Sequence, residues 1–177
     1  MSAGRIVAAA LGVLAASTLA GCGYHLVGAS SSLPPHLTRL YIAPFVNQTG
    51  RAELDQRLSE EVSQEWVRRG RMQLVAAPET ADAVLSGTVM AANVTPVRFD
   101  AQGRASEYQI VVVADVQLVD RTGEEPVILW RDQRFSRSIS YPVNAESADY
   151  FDREVEAIER VARDFARGLV VTILEGF

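Results

Sequence analysis

Apolar positions along the chain recur with two periods, and the period changes where the elements change. "RLYIAPFV" (39–46) is a β-rich run whose Pro44 points to a strand end or edge, and "NQTG" after it is turn chemistry. Leu54, Leu58, Val62 and Trp66 then return every four residues, with Asp55, Arg57, Glu60, Glu61 and Gln64 on other faces, so a helix is predicted. It should stop at Gly70, just after Arg68 and Arg69, where a left-handed cap and cations favour termination. "MQLVA" (72–76) reads as a short strand and "PETADA" as a connection.

Three long strands are expected over 83–99, 106–119 and 127–141. In the second, Tyr108, Ile110, Val112, Ala114, Val116 and Leu118 share one face, and Glu107, Gln109, Asp115 and Gln117 share the other. That alternation is the mark of a half-buried antiparallel sheet. "DAQGRA" and "DRTGEE" read as hairpin loops in which Gly103 and Gly123 supply positive φ. The last element is a helix with an apolar stripe of Phe151, Val155, Ile158, Ala162, Phe165, Leu169 and Ile173. Glu156 with Arg160, and Glu159 with Arg163, are spaced as exposed i,i+4 pairs. The expected fold class is α+β: two helices on one face of a mixed, mainly antiparallel sheet of four or five strands.

The N-terminal end follows neither period. "MSAGR" carries one positive charge and no acid, residues 6–20 are apolar or small, and the chain's one cysteine follows in "LAGC". A basic start, a short hydrophobic segment and small residues at a cleavage point make a secretory signal. The run falls short of the roughly 20 apolar residues of a transmembrane helix. "LAGC" resembles a bacterial lipobox, which implies cleavage before Cys22 and acyl chains on its sulfur and new amino group. Residues 1–21 are thus expected to be signal peptide. The Ser-, Gly- and Pro-rich residues 22–37 should form a lipidated tether, and residues 38–177 a single domain.

Removing 21 residues leaves 156, enough for one domain that buries about 70% of its unfolded surface. Hydrophobic content of 48% beside 22% charged residues marks a globular protein rather than a disordered one. The net charge of −5 leaves no basic footprint for nucleic acid. No dinucleotide fingerprint, phosphate loop, nucleophile elbow or histidine metal pair occurs, and both histidines, His25 and His36, lie in the expected tether. No nucleophile, base and orienter assemble, so neither an enzyme nor a cofactor is expected.

All 17 basic residues are arginine. Arg98 and Arg104 flank the first hairpin, while Arg131, Arg134 and Arg137 lie along the last strand, with Arg131 and Arg137 in phase with Phe135. Charged positions blunt a sheet edge; the same arginines could also offer planar forks to phosphate.

"GCGYHLVG", "LYIAPFVNQTG", "FDAQGRASEYQIVV" and "DFARGLVVTILEGF" together resemble the lipopolysaccharide (LPS)-assembly lipoprotein family, in order and over nearly the whole chain. The resemblance implies a lipid-anchored plug seated in a large β-barrel, the LPS-assembly outer-membrane protein, helping it fold and load LPS. Cys22 carries over as the acylated residue, and Gly23, rather than an aspartate, after it implies sorting to the outer membrane. Relatives can place a basic residue linked to LPS binding just after the hairpin phenylalanine; here Asp100 stands there, with Arg98 and Arg104 nearby. Arg98, Arg104, Arg131 and Arg137 are the expected contacts to LPS or the partner. The order "PFVNQTG", helix, "ADAVLSGTV" is shared more loosely with curli secretion-channel lipoproteins and with lipoprotein activators of cell-wall synthases.

Overall fold

A computed structural model describes residues 33–69, 71–143 and 150–175. Cys22 and Gly70 lie outside these residues, as does the side chain of Phe151. Strands β1 (Arg39–Ile42) and β2 (Val46–Asn47) precede helix α1 (Leu54–Arg69), and β3 (Gln73–Leu74) follows it. Then come β4 (Ala83–Phe99), β5 (Ala105–Asp120) and β6 (Val127–Pro142), and helix α2 (Tyr150–Glu175). The sheet runs β3-β1-β4-β5-β6, with β2 on β4 as a sixth strand. Pairings among β1, β2, β3 and β4 are parallel, and the β4–β5–β6 meander is antiparallel.

The α+β class stands, with six strands where four or five are expected. The extra strand comes from the break in 39–46. Pro44 has no N–H for the ladder, so the run splits into β1 and β2; both stay on β4, with Ala43 N donating to Leu85 O at 2.9 Å and Gln48 N to Val89 O at 2.9 Å. Phe45, between them, turns inward and lies over Gly87 of β4, where a Cβ would come within 2.2 Å of the ring. Only glycine allows that approach.

Both helices cover one face of the sheet. Leu54, Leu58, Val62 and Trp66 of α1 are all fully buried, as the four-residue spacing requires. In α2, Ala162, Phe165, Leu169 and Ile173 are buried and are joined by Val161, Ala166 and Val170, so the buried stripe is wider than its sequence signature. Val155 departs from the stripe and is 49% exposed. At that level the fold presents Arg51 to α2, and it is ion-paired with the neighbouring Glu154. Glu159 reaches across to Arg57 of α1 at 3.0 Å, and Glu156 lies 3.8 Å from Arg153. Glu65, buried in α1, meets Arg68 at 2.8 Å and Arg69 at 3.0 Å. Burial pushes its carboxyl upward, and the hydrogen bonds from Arg69 and Arg68 outweigh this to hold it low.

Within the stretch read as a tether, Leu37 is buried and Leu33 packs against the core. Asp82 fastens this entry point. Its Oδ2 accepts hydrogen bonds from Thr38 N at 3.0 Å, Thr38 Oγ1 at 2.7 Å and Arg39 N at 2.9 Å. Its Oδ1 accepts from Arg39 Nε at 3.2 Å and Nη2 at 2.7 Å.

Candidate functional site

The layer that covers the meander reaches less far along β4 than along β5 and β6, where Ile110, Ile139 and Tyr141 are buried. Along β4, Ala83, Leu85, Gly87 and Val89 alternate as buried positions, and from Met90 onward no residue is buried. At about 3.3 Å per residue the 17-residue strand spans roughly 50 Å. The Asp100–Arg104 turn therefore sits at one end of a long arm. The entry of the chain at His36–Arg39 sits at the other, beside Asp82 and Asp120.

At the tip, Asp100 N donates to Arg104 O at 2.8 Å and Gly103 N to Asp100 O at 3.0 Å, with Gly103 at φ 75°. Asp100 organises the turn: Oδ1 accepts from Gln102 N and Arg104 N, each at 2.9 Å, and Oδ2 from Arg104 Nε at 2.9 Å. The Arg104 backbone N–H leads the effects that hold this carboxyl below its usual range. Arg98 lies 3.2 Å from Glu107 and is 74% exposed. Val97 and Phe99 on the same arm are 48% and 58% exposed, an apolar element that the charge pattern alone does not signal. The tip thus offers an aromatic ring and two guanidinium groups together.

The other arginines lie elsewhere. Arg131 pairs with Asp115 through Nε at 3.1 Å and Nη2 at 2.6 Å on the face away from the helices. That hydrogen bonding lowers the Asp115 carboxyl and raises the Arg131 guanidinium. Arg137 stands on the helix side, its Cζ 4.5 Å from the Phe135 ring centroid and its Nη1 donating to Ser136 O at 2.8 Å. Gly168 of α2 makes room for it, since a Cβ there would fall 2.2 Å from Nη2. The shared phase of Arg131 and Arg137 does not survive, because the β5–β6 register shifts between Ala114 and Val116. A bulge of this kind inverts which side chains face the core. The structure brings Arg98 and Arg104 together and sets Arg131 and Arg137 apart from them and from each other.

The second turn also differs from expectation, because Gly123 has no positive φ. Asp120 builds that turn instead, accepting from Thr122 N at 2.8 Å and Oγ1 at 2.7 Å. Positive φ appears at Glu53 (63°), just before α1.

The face of the meander away from the helices carries Ala91, Val111 and Val113 among Asn93, Gln109, Ser136 and Ser138, all incompletely buried. A 210 Å³ depression there is lined by Pro44, Val46, Thr88, Asp115 and Arg131. Among the described residues no three His, Cys, Asp or Glu side chains are grouped to hold a metal ion. No described helix is long and apolar enough to cross a membrane.

No curated protein matches the chain. Among solved structures, the hypothetical protein CT253 of Chlamydia trachomatis is similar at 13% identity and TM-score 0.56, covering 80% of this chain and 97% of that one. A putative lipoprotein of Caulobacter crescentus is similar at 20% identity and TM-score 0.51, covering 75% and 86%. The PelC dodecamer of Paraburkholderia phytofirmans gives 14% identity and TM-score 0.51, covering 82% and 95%. These likenesses establish the fold. A family model described as lipopolysaccharide-assembly matches residues 37–173, from the buried Leu37 to the last turns of α2. With the helix pair, the mixed sheet and the long meander all inside that match, the chain belongs to the LptE family and has a role in LPS assembly.

Proposed function

We propose that this protein is an outer-membrane lipoprotein, acylated at Cys22 and facing the periplasm, that seats its meander arm inside a β-barrel LPS-assembly partner and steadies it. It acts by contact and without catalysis. The observation that carries this reading is the arm itself. Its roughly 50 Å length exceeds the 40–45 Å of a bilayer with its headgroups, so a tip directed along the membrane normal reaches across within a barrel. A barrel lumen tolerates the polar and charged groups of such an arm. Phe99 with Arg98 and Arg104 matches the chemistry of LPS, which joins acyl chains to phosphates, and arginine reads phosphate through charge-assisted pairs.

Both guanidinium groups already have a carboxylate neighbour, Glu107 for Arg98 and Asp100 for Arg104. Exposed pairs of this kind are screened by water and salt and contribute little, so exchange for a phosphate is inexpensive.

The test places a photo-crosslinker at Gln102 and reverses charge with Arg98→Glu and Arg104→Glu. Expected are crosslinks from Gln102 to the barrel, and, in the double variant, loss of the outer-membrane barrier to large antibiotics at unchanged folding stability. Crosslinks to a soluble cell-wall synthase alone would replace this reading with that of an activator. An intact barrier in the double variant would leave the two arginines as surface charge.

A further inference from the structure

The end of the sheet opposite the tip has an unexplained apolar surface. β6 opens with Val127-Ile128-Leu129-Trp130; Trp130 is buried and Leu129 packs on the core, whereas Val127 and Ile128 are 57% and 54% exposed. Among the described residues β6 is the last strand of the sheet, and no strand pairs with its outer edge. A stretch of exposed β-branched residues on an open edge is a liability in water. In register, Val127 faces Asp120 and Ile128 faces Val119. Asp120 is hydrogen-bonded to His36 Nε2 at 2.8 Å, so the exposed pair lies beside the segment through which the chain enters the domain.

That position bears on what covers the pair. Leu33 is eleven steps along the chain from Cys22, and a fully extended chain advances at most about 3.3–3.6 Å per residue. An acylated Cys22 therefore holds Leu33 within roughly 40 Å of the lipid. Bringing the tip to the same leaflet would need the tether almost fully drawn out along the arm, whereas the Val127–Ile128 end lies where the tether begins. The intervening turn carries Arg121, Glu124 and Glu125, one net negative charge, which suits a zwitterionic surface better than an anionic one.

We propose that Val127, Ile128 and the β5–β6 turn rest in the lipid interface, as a second membrane contact beside the acyl chains. Stable attachment characteristically combines two such signals. The contact fixes orientation as well, because it stands the arm along the membrane normal from the anchored end. This inference rests on acylation of Cys22.

The experiment uses the full acylated protein, purified from membranes and reconstituted into phosphatidylcholine–phosphatidylethanolamine vesicles. An environment-sensitive fluorophore is attached at Ile128→Cys, at Val127→Cys, or at Val97→Cys on the arm, and nitroxide-bearing lipid is added. Expected are blue-shifted emission at 127 and 128 and quenching there roughly twofold stronger than at 97, consistent with interfacial burial. Vesicle-bound protein with water-like emission at 127 and 128 overturns the inference while leaving the anchor in place. Equal quenching at 97 and 128 overturns it too, since the arm would then lie flat. Flotation of each labelled protein with and without Cys22→Ala tests the anchor separately. If the parent does not float with the vesicles, the anchor fails and the inference falls with it.

Discussion

Phe165→Ala is expected to destabilise the domain by about 3–5 kcal/mol, the range for removing a fully buried aromatic ring. Phe165 has no exposed surface and joins three elements. Its ring meets Phe135 of β6 edge-on at 5.0 Å and 90°, and Phe45, before β2, at 6.1 Å and 81°. Phe135 in turn packs edge-on against Trp130 at 6.3 Å. Such pairs add about 0.5–1.5 kcal/mol beyond the buried area, and neighbours on a rigid sheet cannot close over the void. Against a typical total of about 5–15 kcal/mol, the variant should be partly unfolded at 37 °C. In urea its midpoint should fall by about 2 M at a slope of about 2 kcal/mol/M. Arg163→Ala, on the exposed side of the same helix, should stay within about 0.5 kcal/mol of the parent. Equal midpoints for the two variants would refute the orientation of α2.

Asp82→Ala should be the next most damaging substitution, and its effect should depend on pH. Five donors from Thr38 and Arg39 converge on this one carboxylate. A donor left without its acceptor costs about 1–3 kcal/mol when buried; Thr38 and Arg39 are exposed, so water takes up part of the loss and it should lie at the lower end. The Arg39 side chain, followed by the Thr38 hydroxyl and N–H, holds the Asp82 carboxyl far below the ordinary carboxylate range. A folded-state value below the unfolded one stabilises fully above the unfolded pKa of about 3.9 and is lost as pH falls through the folded value. The parent should therefore lose stability progressively below about pH 4. Asp82→Asn should show a shallower loss over that window and lower stability at pH 7. Denaturation midpoints from pH 2 to 7 would decide it, and parallel curves would sink the assignment. Asp115 and Asp120 are also depressed, so the slope shrinks rather than vanishes.

The elements with an unbroken period are legible in the sequence alone. β4 begins and ends at the expected residues, and β5 buries Ile110, Val112, Ala114, Val116 and Leu118 as the alternation requires. What the pattern hid were breaks in period. One extra residue in β6 sends Arg131 and Arg137 to opposite faces, and no local residue type announces it. Asp82 stands in a connection that sequence reading passes over, since its importance depends on residues 43 and 44 positions away. The tip was half legible. The charge pattern shows Arg98 and Arg104 as a flanking pair, but the exposure of Phe99 depends on tertiary packing, which no local pattern carries.

The two halves of the sheet also differ in when they can form. β4, β5 and β6 are joined by short turns and pair with their sequence neighbours, so each pairing closes a small loop. β1 must wait: Leu40 faces Ala83 in a parallel pair, which α1 and β3 must precede. Loop closure grows costlier with separation, and parallel pairings of this kind form late. A chain delivered N-terminus first exposes "LYI" well before β4 arrives to receive it. Kinetic φ-values near 1 in the β4–β5 hairpin and near 0 in β1 are the signature of that order. Strand β1, the first of the six to emerge, is then the last to be fixed.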